Sequence, residues 1–111
     1  MITLKTENGI ETINANYIMY SEAHEHYQYI MLNDRRQIKV RNTVTELLTT
    51  LMRNGGFVRV GSAYIVNLRN VKNVYTYKVE LYNDMSIPIP RGKHIEIKKA
   101  FWDYQYEGQE D

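Results

Sequence analysis

Two runs hold the side chains best placed for chemistry: Phe57-Val58-Arg59-Val60-Gly61-Ser62-Ala63-Tyr64-Ile65-Val66-Asn67 and, about twenty residues on, Ile87-Pro88-Ile89-Pro90-Arg91. In each, a short apolar strand runs directly into a polar or basic residue at a turn. That is the arrangement a rigid β scaffold needs to hold side chains that read the edges of DNA bases on its loops. Arg91 is the foremost candidate, because a guanidinium can bond two acceptors of guanine at once, worth about 1 to 3 kcal/mol of base discrimination. The competing use is a surface arginine that bridges to a phosphate or a nearby acid. His24-Glu25-His26 offers a second constellation. In a strand its two imidazoles would share a face, which makes at most half a metal site, since the chain has no cysteine and only the distant His94 to add. Contact with a guanine or thymine acceptor and a solvated loop are the other readings of this pair. No metal or cofactor is assigned. No Cys or Ser-His-Asp arrangement, phosphate-cradling glycine loop or usefully spaced carboxylate pair is present, so the chain is read as no enzyme.

The elements that must position these groups are mostly strands. Residues 2–5, 10–13, 17–20, 27–32, 37–41, 57–60, 71–75, 79–82 and 86–89 are rich in Ile, Val, Thr and Tyr at period two and are separated by Asn, Asp and Gly. That pattern predicts antiparallel β structure in which neighbouring runs pair. Asn33-Asp34-Arg35-Arg36 and Asn83-Asp84 read as hairpin turns, because Asn and Asp tolerate left-handed backbone. Pro88 and Pro90 both lose their amide donors on one side, which suits an edge strand. Residues 43–53 differ: Val44, Leu47, Leu48 and Leu51 recur at helical spacing, Thr43 with Glu46 forms a capping box, and Asn54-Gly55-Gly56 supplies the stop. A second, weaker helical turn is expected within residues 92–101. Most of the ten tyrosines fall at alternate strand positions and read as packing residues rather than stacking platforms for unpaired bases.

At 111 residues the chain is expected to form one domain with its core over about residues 10–101 and an acidic tail over 103–111, frayed from Tyr106. The absence of cysteine suits a reducing compartment, and no run approaches a membrane span, so a cytoplasmic protein without a membrane partner is expected. The net charge of +1 conceals segregation. Residues 1–34 carry one lysine against five acids, residues 35–100 carry thirteen Lys and Arg against four acids, and residues 101–111 carry four acids and no base. A basic block of this kind is the electrostatic footprint of a phosphate-binding surface.

The order and spacing of these segments resemble the LytTR-type DNA-binding domain of bacterial response regulators, over about residues 10–101. The segment from Tyr17 to His26 occupies the place of the family's opening strand and polar turn, and Thr43 to Leu47 that of its "Ser-Leu-x-Glu-Leu" helix. Phe57-Val58-Arg59-Val60 with Tyr64-Ile65-Val66-Asn67 corresponds to its most specific signature, followed by Val79-Glu80-Leu81 and Ile87-Pro88-Ile89-Pro90-Arg91. The resemblance implies a mainly β fold of elongated antiparallel sheets with one short helix. It also implies sequence-specific binding of double-stranded DNA from turns, on a direct-repeat promoter element, by pairs of subunits of a transcription regulator. Control would come from a receiver or sensor domain in a longer chain. The site residues implied are His26 with its neighbour His24, Ser62 and Arg91; Arg59 of the signature is assigned to DNA binding beside them, and with Arg91 on a base, Lys93 and Lys98 or Lys99 would serve as phosphate contacts. The chain departs from the family at Gly61-Ser62-Ala63, where many members carry a long polar pair such as His-Arg or His-Asn before Ser. A hydroxyl alone does not span to a base edge, so a weaker middle contact is expected, and a β-rich protein-interaction module with little DNA affinity is the alternative.

Overall fold

A computed structural model describes residues 1–107. The elements follow as β1 (Ile2–Thr6), β2 (Gly9–Ile13), β3 (Ile18–His24), β4 (Tyr27–Leu32), β5 (Gln37–Val40), α1 (Val44–Met52), β6 (Phe57–Val60), β7 (Tyr64–Asn67), β8 (Val71–Val74), β9 (Lys78–Leu81), β10 (Ser86–Pro88) and α2 (His94–Glu107). The first seven strands form one sheet in the order β2-β1-β5-β4-β3-β7-β6, and the last three a smaller sheet in the order β10-β9-β8. Every pairing is antiparallel, and β10 lies at an edge, where Pro88 forfeits no ladder bond to a further strand. Two pairings, β1 with β5 and β3 with β7, join strands far apart in sequence.

The large sheet is packed on both faces. On one, α1 lays Leu47 and Leu51 over Ile18, Ile30, Leu32, Ile65 and their neighbours. On the other, Met19, Tyr20, Val60 and Val66 meet Val79, Leu81 and Ile87 of the small sheet and Ile97 of α2. A register shift in β3 between Ile18 and Tyr20 lets the consecutive residues Met19 and Tyr20 serve the same core while Ile18 serves the other, since a bulge re-aims the side chains that follow it. α1 begins with its capping box intact: the Glu46 amide donates to Thr43 Oγ1 at 3.1 Å and the Thr43 amide to Glu46 Oε1 at 2.8 Å. Gly55 and Gly56, at φ 69° and 73°, end it.

Several expectations are corrected. The molecule is a broad slab of 37 × 35 × 24 Å rather than elongated; seven strands at ~4.8 Å spacing give the large sheet a width of about 29 Å, more than the length of any of its strands. There are two helices among the described residues, and α2 is the longer, 14 residues against 9. The tail expected from residue 103 is helical as far as Glu107, and residues 108–111 lie outside the described residues. Ile2 and Leu4 of β1 are buried, so the packed core starts well before residue 10. In the turn after β4 the left-handed residue is Arg35 (φ 72°), while Asp34 accepts the amide and Nε of Arg36 instead. Tyr64 to Asn67, absent from the expected strands, form β7.

Candidate nucleic-acid interface

Three turns carry the groups that the sequence singles out. The first joins β3 to β4 through Glu25 and His26. Glu25 takes a left-handed conformation (φ 56°) where the strand ends at His24, and the two imidazoles line different hollows. His24 therefore belongs to the sheet face, where its Nε2 lies 2.8 Å from Glu22 Oε2 and its ring meets Tyr29 edge-on at 5.3 Å. His26 instead lines a hollow with Gln28, Arg41 and Ser62. The shared face expected of the pair is thus absent. Among the described residues no group of three or more His, Cys, Asp or Glu could hold a metal ion.

The middle turn, Gly61-Ser62-Ala63, links β6 to β7. It is tied to the first by the Ala23 amide, which donates to the Ala63 carbonyl at 2.8 Å. Arg59 braces it from behind: Nε donates to the Gly61 carbonyl at 3.0 Å, Nη2 to the Ser62 carbonyl at 3.4 Å, and Nη1 to Thr45 Oγ1 at the start of α1, also at 3.4 Å. Its guanidinium is committed to the protein's own oxygens. Gly61 sits at φ 70°, and a Cβ there would lie 2.9 Å from Cγ of Pro90, so the middle turn is in contact with the third.

That third turn carries Arg91 and Lys93. Both are exposed, and Arg91 makes no hydrogen bond or ion pair among the described residues. Lys93 shares a hollow of about 510 Å³ with Arg59, Ser62, Pro90, Glu96 and Ile97. Ser62 thus borders the hollow of His26 on one side and that of Lys93 on the other. His26, Ser62 and Lys93 are brought together through these hollows, and His24 is not.

The rest of the signature is structural. Asn67 is buried, its Nδ2 donates to the carbonyls of Ile18 (2.8 Å) and Ala15 (3.3 Å), and its Oδ1 accepts from the Arg69 amide (3.1 Å), which locks the exit of β7 to the entry of β3. Tyr64 faces Glu22 across the β3–β7 ladder. Burial first, then the Glu22 carboxylate, pushes the pKa of the Tyr64 hydroxyl up, and the same two causes act on Tyr20. Most tyrosines do not pack as expected: Tyr17, Tyr75, Tyr77, Tyr82, Tyr104 and Tyr106 are exposed. Their places at turns, strand ends and the outer side of α2 remove them from the alternation that suggested burial.

A mainly antiparallel β domain that gathers polar turns beside basic side chains has the build of a DNA-binding module. Residues 8–102 match the family model of the LytTr DNA-binding domain, and the chain belongs to that LytTR family, which binds DNA and is not enzymatic. The fold is similar to the solved LytTr DNA-binding domain of a protein named as a methyl-accepting/DNA response regulator from Bacillus cereus. The TM-score is 0.73 at 21% identity, over 89% of this chain and 94% of that one. Comparison with curated protein sequences gives no match. No helix among the described residues is long and apolar enough to cross a membrane.

Proposed function

We propose that this domain binds double-stranded DNA sequence-specifically as part of a bacterial transcription regulator, with His26, Ser62 and Arg91 presented from three turns to adjacent parts of one duplex. The observation that carries this reading is the contiguity of the turns: His26 and Ser62 share one hollow, Ser62 and Lys93 share another, and Gly61 abuts Pro90. Arg91, unengaged and exposed, supplies base readout, and Lys93 supplies a phosphate contact that fixes register without reading sequence. Arg59 acts through the middle turn rather than on DNA. Two subunits on a direct-repeat element, controlled by a receiver or sensor domain elsewhere in a longer chain, complete the proposal.

A second reading, a protein-interaction module on the same scaffold, is favoured by one observation: the middle turn presents only a serine hydroxyl where a long polar side chain would reach a base. Selection of bound duplexes from a randomised pool, followed by affinity against salt, separates the two. DNA recognition requires an enriched sequence and a log–log salt slope of roughly −0.9 per phosphate neutralised. Arg91→Ala should flatten the sequence preference, and Lys93→Ala should weaken all sequences about equally. The absence of binding to any duplex at low salt refutes DNA recognition and leaves the interaction module.

A further inference from the structure

Tyr77 lies in the β8–β9 turn, outside any strand, and is 70% exposed. Three contacts fix where that turn sits. The pairing of Pro88 with Lys78 closes the β9–β10 ladder, the Ile89 amide donates to the Tyr77 carbonyl at 2.9 Å, and Lys98 Nζ of α2 donates to Thr76 Oγ1 at 3.4 Å. Tyr77 therefore stands beside Ile89, two residues before Arg91. At ~3.3 Å per residue this is about 7 Å of chain, or roughly two base-pair rises along one DNA strand. The surroundings are basic. Arg91 and Lys93 lie just before α2 and Lys98 in its second turn, Glu96 lines the same hollow as Lys93, and Glu80 is taken up by Asn73 at 2.7 Å and Lys78 at 3.6 Å.

Resting on the DNA-binding reading, we infer that Tyr77 and Lys98 form a fourth contact, in which a phosphate of the same duplex accepts hydrogen bonds from the Tyr77 hydroxyl and the Lys98 ammonium. Thr76 is the positioning residue, holding the lysine over the turn. A phosphate is the fitting partner because the site pairs a neutral donor with a cation and presents no group aimed at a base edge. The contact extends the footprint beyond the three turns and adds affinity without sequence preference, which offsets the short middle turn.

The test is fluorescence anisotropy with a labelled duplex of random sequence, over a salt series, for the parent chain, Tyr77→Phe, Lys98→Gln, Lys93→Ala and Tyr82→Phe. Tyr82 is as exposed as Tyr77 but belongs to the β9–β10 turn, at the other end of the small sheet, and serves as the control. Tyr77→Phe and Lys98→Gln should each weaken binding about 3- to 10-fold. Lys98→Gln alone should reduce the salt slope by roughly 0.9, and Tyr82→Phe should change nothing. Thermal unfolding accompanies each variant, and Lys98→Gln carries the test by itself if Tyr77→Phe alters the fold. Parent-like affinity and slope in both variants, with Lys93→Ala still weakened, overturns the fourth contact and leaves the DNA reading standing. A parent chain that binds no duplex overturns both.

Discussion

Gly61→Ala is the most informative single change, because it acts on the joint between two turns rather than on any group that touches DNA. Its cost has two parts. A left-handed backbone at φ 70° costs an alanine about 1 to 2 kcal/mol relative to its relaxed conformation. The new methyl would also stand 2.9 Å from Cγ and 3.3 Å from Cδ of Pro90, and a proline ring has no rotamer by which to withdraw. Overpacking of this kind adds roughly 1 kcal/mol or more. Equilibrium urea unfolding should therefore show a loss of about 2 to 3 kcal/mol with an unchanged m-value. Pro90→Ala removes the two ring atoms concerned. In the double variant the contact part should vanish and the backbone part remain, giving a coupling of about 1 kcal/mol between positions 61 and 90. A loss below about 0.5 kcal/mol, or strict additivity of the two changes, refutes the claim that the middle turn is seated on Pro90.

Other outcomes follow from the same geometry. Asn67→Ala strands buried backbone groups and should cost about 2 to 4 kcal/mol in chemical denaturation, with Asn67→Asp at least as severe because a carboxylate would face the Ile18 and Ala15 carbonyls. Arg59→Ala should lower DNA affinity while leaving the salt slope unchanged, because the guanidinium holds the turn; a slope reduced by roughly 0.9 would instead mark it as a phosphate contact. Tyr64 and Tyr20 should titrate above the ordinary 10.0 when tyrosinate absorbance is followed, and Glu22→Gln should bring both down. Since their folded pKa values exceed the unfolded ones, the stability they contribute is fully present below about pH 10 and is lost as pH rises through the folded values.

Much of the architecture is legible in the chain because it is local. The period-two runs mark most of the strands, Thr43 and Glu46 mark the start of α1, and Pro88 and Pro90 mark an edge. What escapes is long-range or context-dependent. Nothing in residue spacing announces that β3 pairs with β7, since that contact is made by two cores closing around them. The full length of α2 is obscured because apolar residues lie all round it, Ile97 inward and Ile95, Trp102 and Tyr106 outward. Within the candidate site, a single left-handed residue, Glu25, separates His24 from His26, and no periodicity argument anticipates it. Arg59 looks like a DNA ligand by its signature, yet its three hydrogen bonds are internal. In the sequence Tyr77 is indistinguishable from the tyrosines that pack, and only the turn around it sets it apart.

The two histidine- and serine-bearing turns grow from the large sheet, whereas the arginine-bearing turn grows from the small one. Their relative placement is set by the interior layer in which Val60 and Val66 meet Val79 and Ile87. A one-methylene exchange in that layer would slide one set of fingertips past the other while leaving every fingertip chemically intact. On the proposed reading of DNA by these turns, such a domain would be retargeted from the inside, its preferred spacing drifting through changes that no inspection of surface residues would flag.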